Sequence, residues 1–403
     1  MGTELEARRT GLPRVVVLLG WVSLLTDISS EMLYPLVPIF LTTVLGAPLA
    51  ALGLIEGTAE SAANILKIFS GWWSDRLQRR RPFVIGGYAL SALAKPALSL
   101  AGSWPVVLLL RVADRTGKGL RTSARDALIA DDTTSAQRGR AFGLHRAMDS
   151  MGAVLGPLAA VWFLSRVGDR TEAYRSAFHT VFLWAFLPAG LGVFLLFLIR
   201  EKPFAARYRR PQFTWRFLNR EFKAFLLVNL VFALGNSSDT FLILRARQLF
   251  SSWPHAMITV ILAYVVYNLT YSLGSLPAGV LADRIGPRRV FAFGLALFAL
   301  VYAGFAINHD PRVVWGLFAV YGLYTAFTDG VGKAYASRLV KEEFRATGLG
   351  VFHMVGGLAT FLASTTAGLL WQRFGFQAAF LFGAVAATLA LLLFGLLRKE
   401  MTT

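Results

Sequence analysis

Twelve stretches of about 20 mostly uncharged, apolar residues follow one another from Val15 to Leu397, each long enough to cross roughly 30 Å of hydrocarbon. At that length a segment spans lipid as a helix, because its backbone polar groups must be satisfied within the segment itself. The rest of the composition agrees. Of 403 residues, 55% are hydrophobic and only 16% charged, against roughly a quarter charged in a soluble domain. A soluble multidomain enzyme is therefore excluded, and an all-α polytopic membrane protein is expected. The spans read as about 15–43, 50–70, 83–102, 105–128, 140–165 and 177–199, then about 223–248, 255–280, 290–307, 312–336, 347–370 and 377–397.

Lys and Arg outnumber Asp and Glu by 41 to 23, a formal charge of +18. In a soluble chain this would raise the question of nucleic acid. Here the basic residues gather in short connections, as they do on the cytoplasmic side of a membrane, so no nucleic-acid partner is expected. With both termini inside, about 23 Lys and Arg fall in cytoplasmic segments and roughly 4 in external ones. The expected place is the cytoplasmic (inner) membrane of a bacterium or archaeon, multi-pass, with both termini cytoplasmic. The apolar run after Arg14 is too long for a signal-peptide core and lacks a small-residue cleavage site before Asp27, so the first span is expected to remain. The chain has no cysteine, hence no disulfide.

The longest and most basic connection, 200–222, divides the chain into halves at 1–199 and 223–403. A repeat at an offset of 208 residues relates them: Gly71-Trp-Trp-Ser-Asp75-Arg76-Leu-Gln-Arg79-Arg80-Arg81 returns as Gly279-Val-Leu-Ala-Asp283-Arg284-Ile-Gly286-Pro-Arg288-Arg289. In the same register Ser29-Ser30-Glu31 meets Ser237-Ser238-Asp239. One residue away from it, Arg138 and Gly143 meet Arg345 and Gly350. Duplicated bundles are a common plan for secondary transporters. The glycines would let one helix end approach its neighbour, and Asp75 and Asp283 can bond helix termini or pair with arginine across the bundle. The plainer reading makes both copies positive-inside anchors.

With this paired Gly-x-x-x-Asp-Arg-x-x-x-Arg-Arg motif in the 2–3 and 8–9 connections, nearly the whole chain resembles the major facilitator superfamily, closest to its proton-coupled efflux branch. The resemblance implies two pseudo-symmetric six-helix bundles with a central cavity, and gating roles for Gly71, Asp75, Arg76, Arg80, Gly279, Asp283, Arg284 and Arg288. It carries over Arg111 on span 4 as a pathway charge, although Asp114-Arg115 stand where many members have Gln-Gly. Gly152-Ala-Val-Leu-Gly156-Pro157 on span 5 is similar to the exporter motif, departing from it where Ala160 and Val161 replace the usual glycines. Gly152 and Gly156 share a helix face and Pro157 loosens the ladder, so a packing kink is the alternative.

Charge inside the spans is the most informative feature. The first half carries Asp27, Glu31, Glu56, Glu60, Lys67, Arg111, Asp114, Arg115, Lys118, Arg121, Arg125 and Asp126. At about 3 kcal/mol for each central charge facing lipid, that dozen would cost roughly 36 kcal/mol, so they must face a cavity or one another. Arg111, Arg115, Lys118, Thr122 and Arg125 form one stripe on span 4, while Asp27 with Glu31, and Glu56 with Glu60, each share a face. Two readings compete. Glu56, Glu60, Lys67, Arg121, Arg125 and Asp126, nearer the span ends, lock helices or snorkel. Asp27, Glu31, Arg111 and Arg115, deeper, serve transport, since a desolvated carboxylate beside a like charge is the chemistry of a proton site. Asp27 and Glu31 are the proton-coupling candidates. Cavity candidates are Glu56, Glu60, Arg111, Asp114, Arg115, Lys118, Asn236, Asp239, Asn268, Tyr271, Asp329, Lys333 and His353, with Asn229 as a neutral lining group. Asp329 and Lys333, four residues apart, also read as a structural lock, and His353 as a satisfied polar group.

Thr116-Gly117-Lys118-Gly119 lacks the flanking residues of a phosphate loop. The five histidines make no metal-ligand spacing, and no catalytic triad is evident. No cofactor and no enzymatic activity are expected. The function expected is alternating-access transport of a small organic solute, as proton-coupled efflux by antiport, from a monomer in contact with membrane lipids. The alternatives are a proton-coupled uptake symporter of an organic, conceivably anionic, solute, or, from other classes, a lipid flippase or a non-transporting sensor.

Overall fold

The computed structural model describes residues 12–77, 79–166, 171–201, 219–341 and 345–397, without the side chains of 75, 135–136, 171–174 and 345–347. Its helices group into twelve rods. In the first half these are α1 (Arg14–Leu33, continued by Val37–Ile39 and the π-turn Phe40–Val44), α2 (Leu49–Leu77), α3 (Arg81–Ser99), α4 (Trp104–Asp131), α5 (Ser135–Leu164) and α6 (Thr171–Trp184, resumed as Phe186–Phe197). The second half has α7 (Arg220–Gly235, resumed as Thr240–Leu249), α8 (Ala256–Ile285), α9 (Pro287–Ile307), α10 (Val313–Arg338), α11 (Arg345–Phe374) and α12 (Phe376–Leu396). Residues 202–218 of the expected linker lie outside the described residues.

Local chemistry explains where the rods begin and break. Proline stands in the first turn of α3, α4 and α9, where its missing N–H costs nothing. Asn219 accepts a hydrogen bond from the Phe222 amide at 2.8 Å and caps α7. In α1, Pro35 and Pro38 cannot continue the ladder; the Thr42 and Thr43 hydroxyls bond the Pro38 and Ile39 carbonyls at 2.8 and 2.6 Å as the helix widens into its π-turn. In α7, Gly235 is followed by Asn-Ser-Ser-Asp, whose side chains compete for backbone groups. The helix stops at Gly235 and resumes at Thr240.

Eight rods are long and apolar enough to cross a membrane by length and composition. The four that fall short, α2, α3, α4 and α10, all carry charged side chains inside the bundle, including Glu56, Lys95, Arg111 and Asp329. In each half three rods meet closely: α4 lies on both α2 and α3, and α10 on both α8 and α9. The halves touch along two seams, α2 against α11 and α5 against α8.

The apolar core is divided unequally. At the face where α1 ends, Leu36, Phe40, Leu52, Phe178 and Phe182 of the first half join one continuous core with Phe241, Phe298, Phe305 and Phe380 of the second. At the face where α1 starts, Val16, Leu19, Val84, Ala124 and Leu196 form a separate cluster of first-half residues. The halves are thus sealed together by apolar contact on the far face alone.

Candidate functional site

Two adjoining chambers lie between the halves, of about 370 and 390 Å³, within the range of small-molecule sites. Lys67, Asp239 and Tyr267 line both. The first chamber is ionic and belongs mainly to α1, α4 and α5 of the first half and α8 of the second; the second is aromatic and amide-rich and belongs mainly to α7, α10 and α11.

Asp27 and Glu31 occupy adjacent turns of α1 on the wall of the first chamber. Helix α5 approaches α1 at this point because it carries no side chain there. A Cβ on Gly152 would stand 2.7 Å from the Asp27 Cβ, and one on Gly156 2.8 Å from the Glu31 Cβ. The two exporter-like glycines therefore pack directly on the two candidate proton sites. Glu31 also reaches the other half, accepting a hydrogen bond from the Tyr264 hydroxyl of α8 at 2.9 Å. Its counterpart at the 208 offset, Asp239 in the break of α7, accepts from the Tyr321 hydroxyl of α10 at 2.6 Å.

The polar stripe on α4 divides by depth. Arg111 grips Glu56 of α2 with Nη2 2.9 Å from both carboxylate oxygens and Nε 3.1 Å from one. Asp114 follows at 3.7 Å from the same guanidinium. Glu56 and Arg111 are 1% and 5% exposed, and neither they nor Asp114 are among the residues that line the two chambers. A buried, doubly bonded pair of this kind holds helices together. Arg115 Nε lies 3.2 Å from Glu60 Oε1, and these two reach the first chamber with Lys118. Arg121 donates to the Ser91 hydroxyl at 2.6 Å and covers the Tyr88 ring. Arg125 pairs with Asp126 at 2.8 Å.

Tyr271, Asp329 and Lys333 form a second cluster where α5, α8 and α10 meet. Lys333 Nζ lies 2.6 Å from Asp329 Oδ1, and the Tyr271 hydroxyl donates to Oδ2 at 3.0 Å. Arg146 of α5 donates to the Tyr271 hydroxyl and stands 3.8 Å from Asp329, so the cluster ties the halves across the cavity. Asn236 donates to the Tyr324 hydroxyl at 3.1 Å. Asn229, Asn236 and His353 line the second chamber, and Asn268 the first.

The paired loop motifs are built differently in the two halves. Gly71 lies under Ser123 of α4, a Cβ there falling 3.3 Å from the serine Cβ, whereas a Cβ on Gly279 meets open space. Close packing, expected of both, is found at Gly71 only. Arg80 pairs with Asp131 at the end of α4 at 2.7 Å. In the second copy Asp283 pairs with Arg338 at the end of α10 at 2.9 Å. Arg288 donates to the Phe394 carbonyl and Arg76 lies over Trp72, while Arg284 is exposed. The Asp75 side chain falls outside the described residues.

Sequence reasoning passed over three groups here. Asp149 of α5 lines the first chamber, accepts from Ser23 and lies 3.6 Å from His145. Charge within a span, the signal that singled out Asp27, would have found it and Arg146. The third group is a run of tyrosines, of which only Tyr271 is among the cavity candidates above. Tyr264, Tyr267 and Tyr271 stand at helical spacing on α8, with successive centroids 5.4 and 6.3 Å apart. Tyr34 stacks on Tyr264 at 5.5 Å and faces the guanidinium of Arg115 at 5.9 Å. Tyr321 lies 5.2 Å from Tyr267.

An uncharacterised MFS-type transporter of Methanocaldococcus jannaschii is 36% identical over 388 residues, 95% of this chain and 94% of that protein. The cis,cis-muconate transport protein of Acinetobacter baylyi is 24% identical, covering 79% of this chain and 78% of its own length. The multidrug resistance protein MdtH of Photorhabdus laumondii is 29% identical over 46% of this chain and 43% of its own length. Among solved structures, a bacterial homologue of the human lysosomal transporter Spinster, inward-facing and occupied, superposes with a TM-score of 0.78 at 15% identity over 96% of both chains, which speaks to the fold. A sequence profile of the Major Facilitator Superfamily matches residues 19–263 and 247–403. With the duplicated loop motif, the twelve rods and the cavity between halves, these matches establish the chain as a multi-pass membrane transport protein, not an enzyme, belonging to the Major Facilitator Superfamily.

Proposed function

We propose that this transporter couples movement of a small organic solute to protons, with Asp27 and Glu31 as the exchanging groups. The observation that carries the reading is their position: both carboxylates line the ionic chamber, and both lie under the helix-packing glycines Gly152 and Gly156. A change in the α1–α5 approach would act directly on these acids. Glu31 adds a contact to the other half through Tyr264, so its protonation would bias how the halves meet. The halves, 1–199 and 223–403, rock about the α2–α11 and α5–α8 seams. The face carrying the loop motifs and both termini is cytoplasmic, and the far-face seal makes this an inward-facing state. The carrier acts as a monomer in the inner membrane.

Export by antiport follows from the glycine motif on α5 and accords with the partial likeness to MdtH. Uptake by symport is the second reading. It is favoured by the lysines of the first chamber and by the likeness to a muconate transport protein.

A counterflow screen in proteoliposomes with an imposed pH gradient tests the coupling. Solute movement is expected to follow the gradient in the parent chain and to lose that dependence in Asp27→Asn or Glu31→Gln, with exchange of solute for solute retained. Full gradient dependence in both variants would overturn the assignment. Accumulation against an inward proton gradient versus depletion by it separates symport from antiport.

A further inference from the structure

Seven basic and six acidic side chains, histidine aside, line the two chambers, and their pairing is uneven. Arg115 is held by Glu60, Arg125 by Asp126, and Arg146 and Lys333 by Asp329, while Arg121 is occupied by Ser91 and the Tyr88 ring. Two ammonium groups remain. Lys118 makes neither a hydrogen bond nor an ion pair among the described residues, and Lys67 donates only to the neutral Asn64 amide at 3.0 Å. Both line the ionic chamber, and Lys67 also lines the aromatic one. Asp27, Glu31 and Glu60 share the chamber with these ammonium groups, but neither lysine is in a direct ion pair among the described residues, so each keeps N–H donors for an incoming anion. Most acids are engaged: Glu31 and Asp239 hold tyrosine hydroxyls and Asp149 a serine.

Beyond Lys67, the second chamber offers the faces of Phe232, Phe352 and Tyr267 and the amide of Asn229. Asn229 is 8% exposed and has no hydrogen-bond partner among the described residues. Its amide opens onto the chamber and is free to bond a ligand there. Aromatic walls favour a flat body in offset or edge contact. The anion-binding groups are ammonium point charges, the guanidinium forks that suit phosphate being already engaged.

We propose that the solute is a small organic carboxylate with a flat, unsaturated or aromatic body, its carboxylate held between Lys67 and Lys118 and its ring lying toward Asn229. This rests on the cavity being the carrier's binding site and is independent of direction and of proton coupling.

The test is equilibrium binding of radiolabelled benzoate and trans-cinnamate to the purified full chain in detergent, with benzamide and benzylamine as competitors. At least one of the two acids is expected to bind, with benzamide about tenfold or more weaker, the scale of a lost charge-assisted hydrogen bond. Lys67→Gln and Lys118→Gln should each weaken the acid by a similar factor, Lys67→Arg less, and Asn229→Leu should lower affinity for both acid and amide. An unfolding midpoint for each variant without ligand separates lost binding from lost folding. Failure of both acids to bind, equal binding of benzamide, preference for benzylamine, or full affinity in folded Lys→Gln variants would each overturn the proposal. If carboxylate binding depends on the lysines while transport ignores the pH gradient, the substrate class stands and the proton coupling falls. Gradient-driven transport of cations alone gives the reverse.

Discussion

Glu56 and Arg111 show how little a charge in a span reveals by itself. In the sequence Arg111 reads like Asp27 and Glu31, and Glu56 differs only in lying nearer a span end: all are ionisable side chains in apolar surroundings, at helical spacing from another charge. Their different placements arise from how α2 meets α4, which no local pattern encodes. Arg111 faces a carboxylate and is closed off behind the wall, whereas Asp27 faces a chamber. A pair this buried should be costly to break and cheap to replace. Glu56→Ala is expected to destabilise the protein by about 3–5 kcal/mol, and Glu56→Leu with Arg111→Leu to recover most of it. Thermal unfolding in detergent checks both, and a double variant as unstable as the single would show that the pair does more than fasten helices. Tyr271 was among the cavity candidates; Tyr264 and Tyr267 were legible in principle, since they share its face of α8. What hid them is that aromatic residues at helical spacing are ordinarily core.

Rods were the most readable level, and their breaks and seams the least. Span positions follow from hydropathy, and the described rods fall where those spans were drawn. The interruption of α7 at Asn236–Asp239 does not appear in an apolar profile that runs across it, because it depends on Gly235 and four polar residues finding partners on other helices, among them Tyr324, Tyr302, Ser364 and Tyr321. The α2–α11 seam is equally specific. A Cβ on Gly57 would lie 2.9 Å from the Phe361 carbonyl, and one on Gly368 2.5 Å from that of Leu49. Gly57→Leu must therefore wedge the halves apart on the far face. The chain has no cysteine, so a single Ser364→Cys, at a fully buried position of the seam, reports this without background. Its thiol is expected to resist maleimide in the parent and to react when Gly57→Leu is added; an unreactive thiol in the wedged variant would mean that the seam yields elsewhere. Where α5 packs on α1, Gly152→Leu should cut transport about tenfold or more, because overpacking of one to a few kcal/mol falls on Asp27 itself.

Across the whole molecule, the duplication was visible as the 208-residue offset, while its departures from symmetry were not. The close packing at Gly71 but not at Gly279 and the sorting of ionic and aromatic linings into different chambers depend on which residues meet in three dimensions. Orientation is open to direct measurement. Arg79→Cys, exposed in the 2–3 connection, is expected to react with a membrane-impermeant thiol reagent in inverted vesicles and not in intact cells, and labelling of intact cells would reverse the assigned topology. The far-face apolar core has a further bearing on physiology. To release cargo on that side, the protein must part Phe40 and Leu36 from their neighbours across the divide and let water in, which is uphill for greasy surfaces. In the proposed cycle an empty carrier then rests shut until a bound passenger offsets the wetting, so little of a driving gradient would leak away through idle turnover.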